Sequence, residues 1–300
     1  MSKKNAFILL QFIVVLWGFT AILGALITYK SVPLVWLRLL LVNISLGLYF
    51  LLSKQKLKLT KKLFWQLIGV GCIVGIHWLF FYGGIKISNI SVTLIAFSSG
   101  TLFTALIEPL FYKRKINGSE ILIGLAICCC ISSIAMSDLD NVKNPILGVL
   151  FGAMAALTAA LFSTFNGVLI KKSNTFTITF IQLLSAFFWV SIALFLFFDV
   201  PENLLSPSQS DFWYLMVLSV LCTAVPFIIA VEIMKQLTPF TVNLSLNMEI
   251  VYAIVLAYFI FGEKEKMSIE FYLSSGCIVL LIILNEIIKK KKSKKKQKIN

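Results

Sequence analysis

Residues 6–28 read AFILLQFIVVLWGFTAILGALIT and contain no charged side chain. A transmembrane α-helix needs about 20 predominantly apolar residues, and this stretch is long enough. Its apolar residues do not alternate with polar ones, which excludes a strand of a membrane β-barrel. Lys3 and Lys4 precede it as in a signal peptide, but the apolar run is too long and no small-x-small cleavage site follows. We therefore predict a membrane-spanning helix that is retained.

The rest of the chain repeats this pattern. Hydrophobic residues make up 59% of the sequence and charged residues only 13%, unlike a water-soluble globular protein. Short polar or basic joints separate the apolar stretches, and none is long enough to hold a soluble domain. The sequence predicts an all-α polytopic membrane protein of ten transmembrane helices, at residues 6–28, 33–52, 64–86, 91–112, 119–137, 146–170, 176–198, 212–234, 240–261 and 270–288.

The basic residues indicate an orientation. Most of the 27 lysine and arginine residues fall on one side of the membrane if both termini lie on that side. Cytoplasmic loops carry such an excess, so we expect a multi-pass protein of the cell membrane with both termini cytoplasmic. The net charge of +14 raises the question of a nucleic-acid partner, but the excess lies in these loops and in KKKKSKKKQK at 289–298. We expect no nucleic-acid partner, and a polybasic cytoplasmic tail, residues 291–300, that lies against anionic lipid headgroups.

Motifs for cofactor chemistry are missing from the sequence. The six cysteines all fall in apolar stretches, where we interpret them as small apolar residues and not as disulfides or metal ligands. There is no Walker-type glycine-rich loop, no His-Glu-x-x-His and only one histidine. We predict no cofactor, no metal and no enzymatic activity.

Polar side chains inside the apolar stretches are the candidates for a binding site. Each costs a few kcal/mol at the bilayer centre unless it is paired or lines a wet cavity. Their spacing places them on shared helix faces. These faces hold Trp17, Thr20 and Gly24; His77, Phe80, Phe81 and Gly84; Thr101, Thr104 and Glu108; and Ser245, Glu249 and Tyr252, opposite Asn243 and Asn247.

The ionisable residues among them have competing interpretations. Glu249 lies near the middle of its span with no basic residue within two turns of its own helix, which favours a function. Arg38 either pairs with a carboxylate or captures an anionic group. Glu108 either reaches the interface near Lys113 or contacts a substrate, and His77 is either an interior hydrogen-bonding group or a proton relay.

The chain also repeats itself weakly. Residues 86–114 align with 235–263 without a gap, each a polar hinge followed by a long helix. We predict two five-helix repeats, at 1–140 and 145–290. Because five is odd, the second repeat is inverted in the membrane. Inverted repeats place a binding site near the membrane midplane and allow alternating access.

Several short motifs occur in order along nearly the whole chain. They are Trp17-Gly18, Pro33 with Arg38, Ile107-Glu108-Pro109-Leu110-Phe111, Asn247-Met248-Glu249 and Phe261-Gly262-Glu263. In their order and spacing the chain resembles the drug/metabolite transporter (DMT) superfamily, specifically its ten-span EamA-type members. It departs from the family pattern at Ile250, where a proline often follows the glutamate, and at 113–115, Lys-Arg-Lys, where many members carry Leu-Gly-Glu.

The resemblance implies a site as well as a fold. It implies a central cavity lined mainly by the first, third, fourth, sixth, eighth and ninth spans. Transferred to this chain, the substrate-binding residues would be Trp17, Thr20, His77, Phe81, Ser98, Thr101, Glu108, Ser163, Asn166, Glu249 and Tyr252.

The resemblance implies a function too, because family members commonly export metabolites. We therefore predict a secondary transporter, not an enzyme, that exports a small metabolite such as an amino acid or a related compound by alternating access. The alternative is a membrane-embedded enzyme or a flippase that acts on a lipid-linked substrate. The expected partners are a small-molecule substrate and the lipid bilayer, and a homodimer is left open.

Overall fold

The described part of the chain is helical. The computed structural model describes residues 1–53, 56–137 and 142–262, and a few short runs of residues between 269 and 284. Its helices are α1 (Lys3–Leu26), α2 (Ser31–Ser53), α3 (Lys61–Ile87), α4 (Ile90–Phe97), α5 (Gly100–Tyr112), α6 (Gly118–Ser137), α7 (Pro145–Leu169), α8 (Thr175–Phe197), α9 (Gln209–Met216), a π-helical segment (Val217–Ala224), α10 (Val225–Ile233) and α11 (Pro239–Phe261).

These helices account for most of the predicted spans. Eight stretches within the described residues are long and apolar enough to cross a membrane, and they correspond to predicted spans one to four and six to nine. The predicted span 119–137 falls on α6, whose residues Gly118–Cys130 form a shorter apolar helix. The predicted span 270–288 lies mostly outside the described residues, so the count of ten stays a prediction. The all-α polytopic membrane fold itself is confirmed.

The fourth span is divided into two helices. The division falls at Ser98 and Ser99, between α4 and α5. Ser98 Oγ donates to the carbonyl of Ile95 at 2.6 Å, and Ser99 Oγ donates to the carbonyl of Ala96 at 2.7 Å. In lipid no water satisfies carbonyls at such a break, so neighbouring hydroxyls do so. The ninth span has no such break, because α11 continues without interruption through Ile250.

Small residues let the helices approach closely. α3 packs against α7 and α8, α4 packs against α7, and α1 packs against α11. A Cβ atom at Gly71 of α3 would lie 2.5 Å from the carbonyl oxygen of Gln182 in α8. A Cβ atom at Gly152 of α7 would lie 2.4 Å from the carbonyl oxygen of Thr93 in α4. Interfaces between transmembrane helices depend on such small residues because the bilayer supplies no hydrophobic force between helices.

The α3–α8 contact gives the first testable prediction. We expect Gly71→Ala to destabilise the folded protein by about 1–3 kcal/mol, because the added methyl group must push α8 away. Gly69→Ala on the same helix is the matched control, since a Cβ there meets nothing within 4 Å. Thermal unfolding of the purified variants in detergent measures both. Equal melting temperatures for the two variants would contradict the close approach.

Candidate functional site

A cavity opens between helices from both halves of the chain. It has a volume of about 80 Å³ and is lined by side chains of α1, α2, α3, α4, α7, the π-helical segment, α10 and α11. Most of its lining is apolar or aromatic, with a few polar groups, as in small-molecule binding sites generally. The sequence-predicted residues that line it are Trp17, Thr20, His77, Phe81, Ser163, Asn166 and Glu249.

The other predicted residues lie away from this cavity. Ser98 is bonded within its own helix turn, as described above. Thr101 Oγ1 accepts a hydrogen bond from Asn247 Nδ2 at 2.7 Å, which joins α5 to α11. Tyr252 packs opposite Gly18 of α1, where an added Cβ would lie 3.0 Å from the Cβ of Tyr252. Thr101 and Tyr252 therefore contribute to helix–helix contacts, whereas Ser98 satisfies a carbonyl of its own span.

Glu108, the last of these residues, belongs to an ionic network at the end of α5. Its Oε1 lies 3.0 Å from Arg114 Nε, and Arg114 Nη2 lies 2.8 Å from Glu120 Oε2. Its Oε2 accepts from the backbone N–H of Phe240 at 2.7 Å, at the start of α11. The carboxylate is buried, so it does not reach out towards the interface beside Lys113. Instead it ties the end of α5 to the start of α11.

Arg38 lines the cavity and is held by neighbours from α3 and the π-helical segment. Its side chain is 2% exposed. Nε donates to Thr223 Oγ1 at 2.7 Å, and Nη1 donates to the hydroxyl of Tyr82 at 2.6 Å. The guanidinium carbon lies 4.3 Å from the ring centroid of Trp78, within the range of a cation–π interaction. Of the ion pairs within the described residues, none involves Arg38.

Glu249 contributes a carboxyl group to the same cavity. It is 4% exposed and lines the cavity together with Arg38. Within the described part of the chain, no hydrogen-bond donor contacts its carboxylate. The described residues also contain no group of three or more His, Cys, Asp or Glu side chains that could hold a metal ion. The carboxylate is therefore available to a cationic group that enters the cavity.

His77 presents one ring nitrogen to its neighbours and is surrounded by aromatic rings. Its Nδ1 lies 2.9 Å from the carbonyl oxygen of Ala155. Because a carbonyl only accepts, Nδ1 carries the hydrogen, and Nε2 is the acceptor in the singly protonated ring. The ring centroid lies 5.3 Å from that of Phe162 and 5.8 Å from that of Phe97. This arrangement fixes the orientation of the imidazole.

Neutral amide and hydroxyl side chains line the part of the cavity formed by α7 and α11. Asn243 Nδ2 donates to Ser163 Oγ at 2.6 Å and to the carbonyl of Pro239 at 3.1 Å. Gln182 Nε2 donates to Asn166 Oδ1 at 2.6 Å. These bonds hold the amide groups of the cavity wall in fixed orientations.

Sequence reasoning left several cavity residues out of the predicted site. Arg38 could have been included, because it is the one charged side chain inside its span, and Asn243 was already on a polar face of span nine. The aromatic residues carry no such signal, since 26 phenylalanines are spread over the chain. The lining residues outside the predicted set include Arg38, Trp78, Phe97, Phe162, Thr223, Phe227 and Asn243.

Comparison with known proteins agrees with this architecture. The sequence profile of the EamA-like transporter family matches residues 5–137 and again residues 146–287. A solved structure titled "Crystal structure of protein" matches with a TM-score of 0.74 and 13% identity, over 97% of this chain and 99% of its own, and shows the fold alone. No curated protein shows a significant sequence match. Because the family profile covers nearly the whole sequence in two copies, this integral membrane protein belongs to the EamA-like transporter family.

Proposed function

We propose that the protein is a secondary transporter that exports a small zwitterionic metabolite, an amino acid or a related compound, by alternating access. The observation that carries the proposal is a guanidinium and a carboxyl group, Arg38 and Glu249, buried in one cavity whose lining is mostly apolar or aromatic. The family supplies the transporter class, and export is the direction common in that class. The alternative enzyme or flippase finds no supporting observation within the described residues.

The two charges fit the two ends of an amino acid's backbone. A guanidinium has five N–H donors, and Arg38 uses two of them on Thr223 and Tyr82. The remaining donors suit a carboxylate, to which arginine forms strong charge-assisted bonds. Glu249 would accept from the ammonium group. An unpaired buried charge is costly, so a zwitterion stabilises both residues where a neutral solute does not.

The cavity also fits a small solute with an apolar part. One water needs about 10–15 Å³ of such a space, so about 80 Å³ has room for several waters or a compact metabolite. The rings of Trp17, Phe81, Phe162 and Phe227 surround this space. They would hold the carbon skeleton of the substrate while the charged groups fix its orientation.

A transport assay tests the charge pair. In proteoliposomes we expect labelled amino acids to move, and nucleosides and purely cationic metabolites to move much less. A pH gradient across the vesicles reports whether protons move with the substrate. Glu249→Gln should lower transport at least about ten-fold, because one charge-assisted contact contributes about 1.5–3 kcal/mol. Glu202→Gln, on the exposed loop before α9, is the matched control. Normal transport by Glu249→Gln at every pH would refute the role of Glu249.

Arg38 gives a second test of the same site. Arg38→Lys keeps the charge but cannot bond two hydroxyls in a fixed fork, so we expect the half-saturation concentration to rise about ten-fold or more. Tyr82→Phe removes one of the two bonds and should have a smaller effect in the same direction. Counterflow in proteoliposomes measures both, and size-exclusion chromatography checks folding. An unchanged half-saturation concentration in folded Arg38→Lys would exclude this geometry.

The proposed orientation has its own test. We propose that the protein lies in the cell membrane with both termini cytoplasmic, since the basic residues concentrate in the joints on that side. The tail, which lies outside the described residues, would then face anionic headgroups, and a homodimer stays a proposal. Added protease should remove a C-terminal epitope from inside-out vesicles and spare it in right-side-out vesicles. An epitope inserted in loop 199–208 should show the opposite pattern, and equal cleavage of both would contradict the orientation.

A further inference from the structure

Gln182 is a buried residue that donates a hydrogen bond to a side chain of the cavity wall. It lies on α8, is 0% exposed and does not line the cavity. Its Nε2 donates to Asn166 Oδ1 at 2.6 Å, while its own Oε1 is buried without a partner in the described structure. An unpaired buried acceptor costs about 1–3 kcal/mol. A side chain that served packing alone would not need this amide.

The bond from Gln182 decides which atoms of Asn166 face the cavity. Because Asn166 Oδ1 accepts the hydrogen bond from Gln182, the NH₂ group of Asn166 points away from Gln182. Asn166 lines the cavity, and within the described residues its NH₂ group has no acceptor. Two donors are therefore available to a molecule inside the cavity.

Asn243 supplies the complementary atom on the facing helix. Its NH₂ group donates to Ser163 Oγ and to the carbonyl of Pro239. No donor to its Oδ1 is found in the described part of the chain. The cavity wall thus offers donors from Asn166 and an acceptor from Asn243. A carboxamide or urea group carries a carbonyl acceptor and N–H donors, which match this pair.

This neutral polar region is separate from the charged region. Asn243 and Glu249 are six residues apart on α11, which corresponds to about 9 Å along the helix axis. The rings of His77 and Phe162 line the cavity as well. A solute that reaches both regions has a charged head, an apolar stem and a neutral polar end.

From this arrangement we propose that Asn166, oriented by Gln182, and Asn243 form a second subsite that selects amino acids whose side chain ends in an amide or urea group. The proposal rests on the proposed function and names its substrate class. Gln182 is a positioning residue, because it acts through Asn166 and does not touch the substrate. A site built to hydrogen-bond a polar group rejects the apolar analogue strongly, since its own polar groups are then left unpaired.

Matched substrate pairs test the subsite in proteoliposomes. The pairs are glutamine against methionine, and citrulline against the straight-chain apolar aminooctanoate. For the wild-type protein we expect half-saturation concentrations at least about ten-fold lower for the polar member of a pair. Asn166→Leu should bring this ratio close to one, because the polar member loses its hydrogen-bonding partner. Gln182→Met, which cannot donate, should reduce the ratio part of the way with unchanged maximal rates.

Size-exclusion chromatography in detergent shows that each variant is folded. Asn166→Ala replaces Asn166→Leu if the larger residue prevents folding. Thr164→Val is the matched control on α7, since the buried Thr164 hydroxyl bonds the carbonyl of Ala160 and does not line the cavity. It should leave the ratio unchanged.

The outcomes separate the two proposals. Equal affinity of the wild-type protein for both members of each pair, or an unchanged ratio in Asn166→Leu, overturns the subsite and leaves the proposed function intact. Movement of no amino acid at all overturns the proposed function and the subsite together. A preference that is present in the wild type, lost in Asn166→Leu and reduced in Gln182→Met supports the subsite.

Discussion

The arrangement around the cavity depends on how one buried cation is satisfied. A charged side chain inside a membrane span is costly unless polar groups surround it. Arg38 of α2 bonds Tyr82 of α3 and Thr223 of the π-helical segment, and Trp78 covers its face. Because these partners come from two separate elements and Arg38 itself from a third, the guanidinium fixes where α2, α3 and the π-helical segment meet. The cavity lies beside this junction.

The π-helical segment makes that junction possible. Thr223 Oγ1 donates to the carbonyl of Leu218 at 2.5 Å, five residues earlier, and accepts from Arg38 Nε. In a regular α-helix the carbonyl of Leu218 would bond the amide four residues later. In the wider π-helical turn it accepts from the hydroxyl of Thr223 instead. Such π-helical turns are frequently found at functional sites. Here the irregular backbone gives the threonine both of its partners.

The sequence predicts the fold class and part of the candidate site. Continuous apolar stretches predicted the all-α membrane fold, because lipid leaves few other structures possible. Periodicity placed Glu249 on a polar face, but it could not tell whether a face meets a cavity or a neighbouring helix, as Asn247 and Thr101 show. For Glu108 the sequence indicates Lys113 as a nearby basic residue. Lys113 adopts a left-handed conformation with φ of 49° and ends α5, and the next residue, Arg114, is the partner of Glu108.

The hydrogen bonds of α11 indicate which helices hold together as a unit. Phe240 N bonds Glu108, Asn243 bonds Ser163, and Asn247 bonds Thr101. These three positions occupy successive turns and join α11 to α5 and α7. The contact of α11 with α1, by contrast, includes close packing at Gly18. Separating α11 from α5 and α7 would break three buried bonds, at about 0.5–1.5 kcal/mol for each neutral bond and about 1.5–3 kcal/mol for the bond to Glu108. Within the described residues no hydrogen bond joins α11 to α1, so sliding those packed surfaces breaks none. A rearrangement that opens the cavity therefore costs less along the α1 face of α11 than along its α5 and α7 face.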